Sequence, residues 1–260
     1  MMETASDRPS LLSGAVFRDE GIVIPARQLS IAEGLKDPQS VVGEEFRLLR
    51  SRVQTACQER KIGCLAVVSA LPGEGKSTIA LGLAIALARE AGRRILLVET
   101  DLRRPSISRS LGVPSFAGLG EWLNGDIDHV PVRRVEPGGF FLLGPGETAL
   151  EQPEALGSSR MESLLRAARE PFDLVVLDAT PILPVADVVL MQDLLDGLLF
   201  VVRSRKTPRE AVNDALGRIR QDKIIGVVLN DHREYKGSYM SHAYRGYGIG
   251  QGKDRSGRRY

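Results

Sequence analysis

Apolar and polar positions fall into blocks along this 260-residue chain. The segments Ile62–Ser69, Arg94–Glu99, Asp173–Asp178, Gly197–Val202 and Ile224–Leu229 are apolar on most residues. Short runs of that kind are the pattern of strands buried on both faces. Helical patterns lie between them. Val41, Val42, Phe46, Leu48, Leu49 and Val53 give one over about 40–58, and Lys76–Glu90 is a second, rich in Ala and Leu. Glu154–Arg169 and Pro208–Arg220 predict two more. Pro105–Leu111, Leu119–Leu123 and Val185–Leu190 predict shorter helices, and Phe140–Leu143 a short strand. Strand and helix in alternation predict an α/β fold, a mostly parallel central sheet covered on both faces.

The ends of the chain read differently. Residues 1–38 mix Pro, Gly and charge, and are expected to be a mostly irregular extension. Residues 39–230 form the α/β domain. Residues 231–260, rich in Gly, Arg, Ser and Tyr without apolar periodicity, read as a flexible tail. Lys+Arg 35 against Asp+Glu 33 leaves a net charge of +2, so no global field for gripping nucleic acid exists and none is expected as a partner. Two cysteines, Cys57 and Cys64, make no disulfide framework and read as reduced thiols of a cytoplasmic protein. The N-terminus lacks the apolar core of a signal peptide. No apolar run approaches the roughly 18–20 residues of a membrane span, so membrane association is expected only through a partner.

Chemistry enters at the first strand's end. Ser69-Ala70-Leu71-Pro72-Gly73-Glu74-Gly75-Lys76-Ser77-Thr78 stands between a strand and a helix. This is a P-loop in its required context, with Ala70 where the motif's first Gly usually stands. Glycines let backbone N–H groups approach phosphate oxygens, and the helix N-terminus adds partial positive charge. Gly73, Glu74, Gly75, Lys76, Ser77 and Thr78 are therefore the candidate nucleotide contacts, with Lys76 reaching β/γ oxygens and Ser77 ligating Mg²⁺. The fold class becomes a P-loop NTPase-type three-layer sandwich. Two strands end in acids, Ile95–Glu99 followed by Thr100-Asp101, and Leu174–Asp178, a Walker B pattern. Carboxylates at the carboxyl ends of parallel strands lie beside the phosphate site. Asp178 is expected to hold Mg²⁺ directly or through water, and Asp101 to share the metal or orient the nucleophile.

These motifs, over about residues 39–230, resemble the bacterial tyrosine kinases of capsule and exopolysaccharide synthesis. The resemblance rests on Pro72–Ser77, on Glu99–Pro105 against the family's Asp-x-Asp-Leu-Arg-x-Pro, and on Asp178-Ala179-Thr180-Pro181 with Asp187 following. It rests also on Glu44-Glu45-Phe46-Arg47-Leu48-Leu49-Arg50, like the family's Glu-x-x-Arg-x-x-Arg helix, which implies that Glu44, Arg47 and Arg50 pack protomers into a ring. The residue-level alternative is a solvated helix face with one intrahelical ion pair. All five tyrosines, Tyr235, Tyr239, Tyr244, Tyr247 and Tyr260, lie in the last 26 residues. The resemblance implies that they are phosphorylated in trans in a neighbour's site. The alternative is a sticky Arg/Tyr tail binding polysaccharide, RNA or a protein surface.

The resemblance thus implies an ATP- and Mg²⁺-dependent protein-tyrosine autokinase acting in polysaccharide synthesis or export. Its expected partners are a membrane protein that regulates polymer chain length and further copies of itself. It would work in the cytoplasm, peripheral at the inner membrane. Lys76, Asp101 and Glu99 are the candidate catalytic residues, and Ser77, Asp101 and Asp178 the candidate metal ligands. Glu99 stands where the family usually has Asp, and its extra methylene shifts a carboxylate by over ~1 Å; misplacement on that scale can cost about 100-fold in rate. Arg103 and Arg104 contact phosphate or an acidic partner, or simply pair at the surface. Two rivals stand beside the kinase reading: a non-catalytic nucleotide-binding scaffold of polysaccharide export, and a partition-type ATPase. Leu71 and Pro72 stand where partition ATPases carry an extra Lys, against the second rival.

Overall fold

The computed structural model describes residues 16–25, 40–113, 116–148, 150 and 153–232. The five tyrosines, with the tail reading built on them, lie outside the described residues.

Among the described residues eight strands form one sheet: β1 (Phe17–Pro25), β2 (Cys64–Ser69), β3 (Ile95–Glu99), β4 (Val130–Glu136), β5 (Phe140–Leu143), β6 (Leu174–Pro181), β7 (Gly197–Arg203) and β8 (Ile224–Asn230). Their order is β1-β4-β5-β3-β6-β2-β7-β8. Every neighbouring pair is parallel except β4 with β5, a hairpin. Most residues of β2, β3 and β6 are inaccessible to solvent, as their near-continuous apolar sequence requires of strands covered on both faces.

One face of the sheet carries α1 (Val41–Arg60), α2 (Lys76–Ala88) and the short α3 (Ile107–Leu111) over Leu65, Val67, Ile95, Leu97 and Val176. The other carries α4 (Leu119–Asn124), α5 (Ser159–Ala168), α6 (Asp187–Met191) and α7 (Arg209–Leu216) over Ala66, Val68, Leu96, Val98, Val175 and Leu177. The sheet and its two helical layers give the expected three-layer α/β sandwich. Ser40 starts α1, its hydroxyl accepting from the Gly43 N–H at 3.3 Å. The helix presents Gly43, Phe46 and Val53 inward, and Phe46 rests on Gly82 of α2, where a Cβ would lie 2.3 Å from its ring. Almost every side chain of α2 is buried, because α1 and the sheet enclose it.

Three elements depart from the sequence reading. Residues 17–25, assigned to an irregular extension, form β1, parallel to β4 at the sheet's edge. Strand β4 gave no clear signal, since Arg133, Arg134 and Pro131 interrupt its apolar pattern. The helix expected over Glu154–Arg169 divides into a 3₁₀ turn, Pro153–Gly157, and α5, because the Ser158 hydroxyl caps a fresh helix by accepting from Met161 N–H at 3.4 Å.

Candidate functional site

Strand β2 runs between β6 and β7, so its carboxyl end opens where the chain connections diverge, the place where open parallel sheets bind ligands. The turn 70–75 leaves that end and feeds α2. Gly73 and Gly75 have φ of 77° and 98°, the left-handed region that favours glycine. A Cβ at Gly75 would also lie 2.0 Å from the Asn230 amide nitrogen, so only glycine fits.

The turn is held by groups far away in sequence. Asn230 donates from Nδ2 to the Glu74 carbonyl at 2.8 Å. Arg203 donates from Nη1 to the Gly73 carbonyl at 3.1 Å, and grips Asp231 with Nε and Nη2 at 3.0 and 2.9 Å. The Glu74 side chain, expected among the nucleotide contacts, is buried. Its carboxylate accepts from Leu71 N–H at 2.7 Å and from the Thr207 hydroxyl. Glu74 therefore shapes the turn from inside. Thr207, Arg203 and Asn230 were missed from the sequence; they lie 130 to 156 positions from their partners, and no local pattern marks them.

Lys76 and Ser77 begin α2. Lys76 is 6% exposed at the helix N-terminus. Beside it, within β6, Asp178 is fully buried and neither carboxylate oxygen makes a well-formed hydrogen bond, the Ser77 hydroxyl being its near neighbour. Burial pushes its pKa up to about 7; Ser77 and Lys76 are close enough to oppose the rise, and Glu99 and Asp101 add to it. The Thr180 hydroxyl, also buried, makes no well-formed hydrogen bond either and lies near Asp187. Buried polar atoms left unpaired are costly, and their grouping beside the turn marks a place built to be completed by a ligand. Asp187, at the start of α6, is buried too, and burial raises its pKa against the pull of Arg103, 3.8 Å away.

Strands β3 and β6 set the other acids. Glu99 and Asp178 are register partners. Thr100 donates to the Asp178 carbonyl from N–H at 3.0 Å and from its hydroxyl at 2.9 Å. Asp101 follows directly, its Oδ1 accepting from Arg104 N–H at 3.0 Å. Glu99, expected beside the reacting groups, points instead at α3. Its two oxygens accept from the N–H groups of Ser106, Ile107 and Ser108 and from the Ser108 hydroxyl.

Among the described residues no three His, Cys, Asp or Glu side chains converge on a metal-binding point. That suits Mg²⁺ at a nucleotide, which takes one or two carboxylates and fills its shell with hydroxyl, phosphate and water oxygens. Ser77 and the neighbouring buried Asp178 are the groups that fit it.

The helix face Glu44–Arg50 is half-buried. Arg47 pairs with Glu44 at 2.5 Å, and Arg50 donates to the Ala86 carbonyl of α2 at 3.3 Å. Among the described residues no helix is long and apolar enough to cross a membrane.

Comparison with known proteins follows the same lines. Residues 65–245 match the family described as the CobQ/CobB/MinD/ParA nucleotide binding domain. The chain is 30% identical over 209 residues to the tyrosine-protein kinase YwqD of Bacillus subtilis, covering 77% of this chain and 88% of that one. It is 34% identical over 203 residues to the succinoglycan biosynthesis transport protein ExoP of Rhizobium meliloti, covering 74% of this chain but only 25% of that protein. The kinase domain of the Escherichia coli tyrosine kinase ETK superposes with a TM-score of 0.71 at 26% identity, covering 79% of this chain and 81% of that domain.

Proposed function

We propose, from the premise that this chain belongs to the bacterial tyrosine kinases within the CobQ/CobB/MinD/ParA nucleotide-binding family, that it transfers the γ-phosphoryl group of ATP to tyrosines of its own C-terminal tail on a neighbouring copy. One observation carries the reading: Asp178 holds two buried carboxylate oxygens, without a well-formed hydrogen bond, beside Lys76 and Ser77 at the mouth of a strand–turn–helix phosphate site.

The turn amides and the α2 N-terminus bind the β- and γ-phosphates, and Lys76 neutralises their charge. Mg²⁺, held by Ser77 and Asp178, would supply further charge compensation when bound. A tail tyrosine oxygen attacks the γ-phosphorus, the bond to the β–γ bridging oxygen breaks, and ADP leaves. The tyrosine proton passes to the Asp101 carboxylate, which orients the hydroxyl first and accepts its proton late, since a free tyrosine ionises only near pH 10. Transfer of this kind needs positioning and charge compensation more than covalent help, and these residues supply both. Tyr235, Tyr239, Tyr244, Tyr247 and Tyr260 are the candidate acceptors. Each phosphorylation adds nearly two negative charges.

Glu44, Arg47 and Arg50 are proposed to pack neighbouring copies into a ring, which brings one tail to the next site. The process served is polysaccharide synthesis or export, as the name of the succinoglycan biosynthesis transport protein ExoP suggests, with a membrane-embedded chain-length regulator as partner and the cytoplasmic side of the membrane as the place of work.

The test is incubation of purified protein with Mg·ATP, beside Lys76→Met, with phosphotyrosine mapped by mass spectrometry. Modification of tail tyrosines in the wild type and its loss in the variant is the expected result. Nucleotide uptake without phosphotyrosine would leave the scaffold reading, and hydrolysis without phosphotyrosine the partition-type one.

A further inference from the structure

Strand β3 is apolar from Ile95 to Val98 and then places a carboxylate, Glu99, where no solvent reaches it. A buried carboxylate is tolerated only when donors surround it. Glu99 has four. Oε1 accepts from the N–H of Ser106 at 2.5 Å and of Ile107 at 2.7 Å. Oε2 accepts from the Ser108 N–H at 3.0 Å and the Ser108 hydroxyl at 2.6 Å. These amides open α3, a helix of five residues, too short to hold itself together without tertiary contacts.

The segment between, residues 100–105, is fastened at both ends. Thr100 is bonded twice to the Asp178 carbonyl, and the far end closes on Glu99. Inside the closure sits Asp101, braced by Arg104 N–H. We propose that Glu99 is a positioning residue: its carboxylate latches residues 106–108 so that Asp101 is held against the phosphate site, and it acts on phosphoryl transfer through Asp101 alone. This rests on the kinase reading above. It assigns Glu99 the holding of a loop in place of the proton-accepting role suggested by its position in the motif. Both oxygens are already engaged by donors, and a charge-assisted set of four makes a rigid clasp.

A double-mutant cycle on the full chain tests it. In Glu99→Gln an NH₂ group faces donors. The kcat for tail phosphorylation is expected to fall about 10–100-fold, with Mg·ADP affinity within about twofold of wild type. Hydrogen exchange at the amides of residues 106–108 is expected to quicken at least about tenfold. Asp101→Asn alone should be slower still, and adding Glu99→Gln to it should change kcat no further than about threefold. Ser108→Ala removes one of the four bonds and leaves Glu99 charged. It should cost about 3–10-fold in kcat and likewise vanish in the Asp101→Asn background, so the cycle remains available if Glu99→Gln does not fold. Effects that multiply would overturn the proposal, as would lost activity with exchange at 106–108 unchanged. A wild type that binds Mg·ADP but makes no phosphotyrosine would instead overturn the kinase reading, and this role with it.

Discussion

Asp178 is the place where this protein trades stability for function, and its amide isostere measures the trade. The folded protein raises the Asp178 pKa from 3.8 to about 7. The sign follows from linkage: the folded state holds a proton there that the unfolded state has already released, so stability is fully present below about pH 4 and is lost as pH rises through about 7. At about 1.4 kcal/mol per unit, the charged carboxylate costs on the order of 4 kcal/mol above pH 7 when neither nucleotide nor metal is bound. Asp178→Asn removes the charge but leaves an unpaired buried amide, at about 1–3 kcal/mol. The expected net gain at pH 8 is therefore about 1–3 kcal/mol, or roughly 2–10 °C in melting temperature for a domain of this size. At pH 4 the gain should vanish or reverse. Thermal melts of both proteins across this pH range, in chelator, read the difference directly. With saturating Mg·ATP the order should change, since a ligand bound at 100 times its Kd adds about 2.7 kcal/mol to the protein that holds it, and the variant holds it poorly. A difference independent of pH, or a wild type more stable at pH 8 without ligand, would refute the reasoning.

Other substitutions probe the frame around the site. Glu121 is buried; burial acts to raise its pKa, but hydrogen bonds from Gly118, Glu147 and Thr148 N–H groups outweigh it, and the net shift is downward. Its contribution is present above the usual carboxylate range and lost as pH falls through the folded value, so Glu121→Gln should cost about 1–3 kcal/mol at pH 7 and progressively less in acid, as denaturant titration will show. Arg203→Ala removes the donor to the Gly73 carbonyl and the ion pair with Asp231, and calorimetry should show Mg·ADP binding weakened about tenfold with the melting temperature little changed. Burial pushes the Cys64 thiol up to about 12 and Cys57 to about 11. Both should therefore resist alkylation at pH 8 in the folded protein and react promptly in denaturant, read by mass spectrometry.

The parts legible in the sequence are those whose physics is local. An apolar strand, two glycines in left-handed turns and a lysine opening an apolar helix are neighbours in the chain, so the phosphate turn and the alternation of central strands with helices could be read directly. Asp101 and Asp178 were found because strand ends of a parallel sheet converge, a rule that needs no contact information. Strand β4 escaped because Arg133, buried and stacked 3.1 Å from the ring centre of Phe116, breaks the apolar run that marks a strand. Strand β1 escaped because its evidence is its partner, β4, more than 100 residues away.

The glutamates teach the sharper lesson. Glu74 and Glu99 both lie inside motifs read as facing a nucleotide, and both were read as facing it too. A carboxylate, however, goes where donors outnumber its alternatives. Glu74 found Leu71 and Thr207, and Glu99 found the opening amides of α3. In each case the acid is buried with its oxygens firmly engaged, whereas Asp178 is buried without a well-formed hydrogen bond. Paired burial builds a rigid frame; unpaired burial is tolerated where a ligand completes it. Spacing along the chain locates a candidate phosphate site, but the state of each buried oxygen separates the residues that shape it from those left open to a ligand.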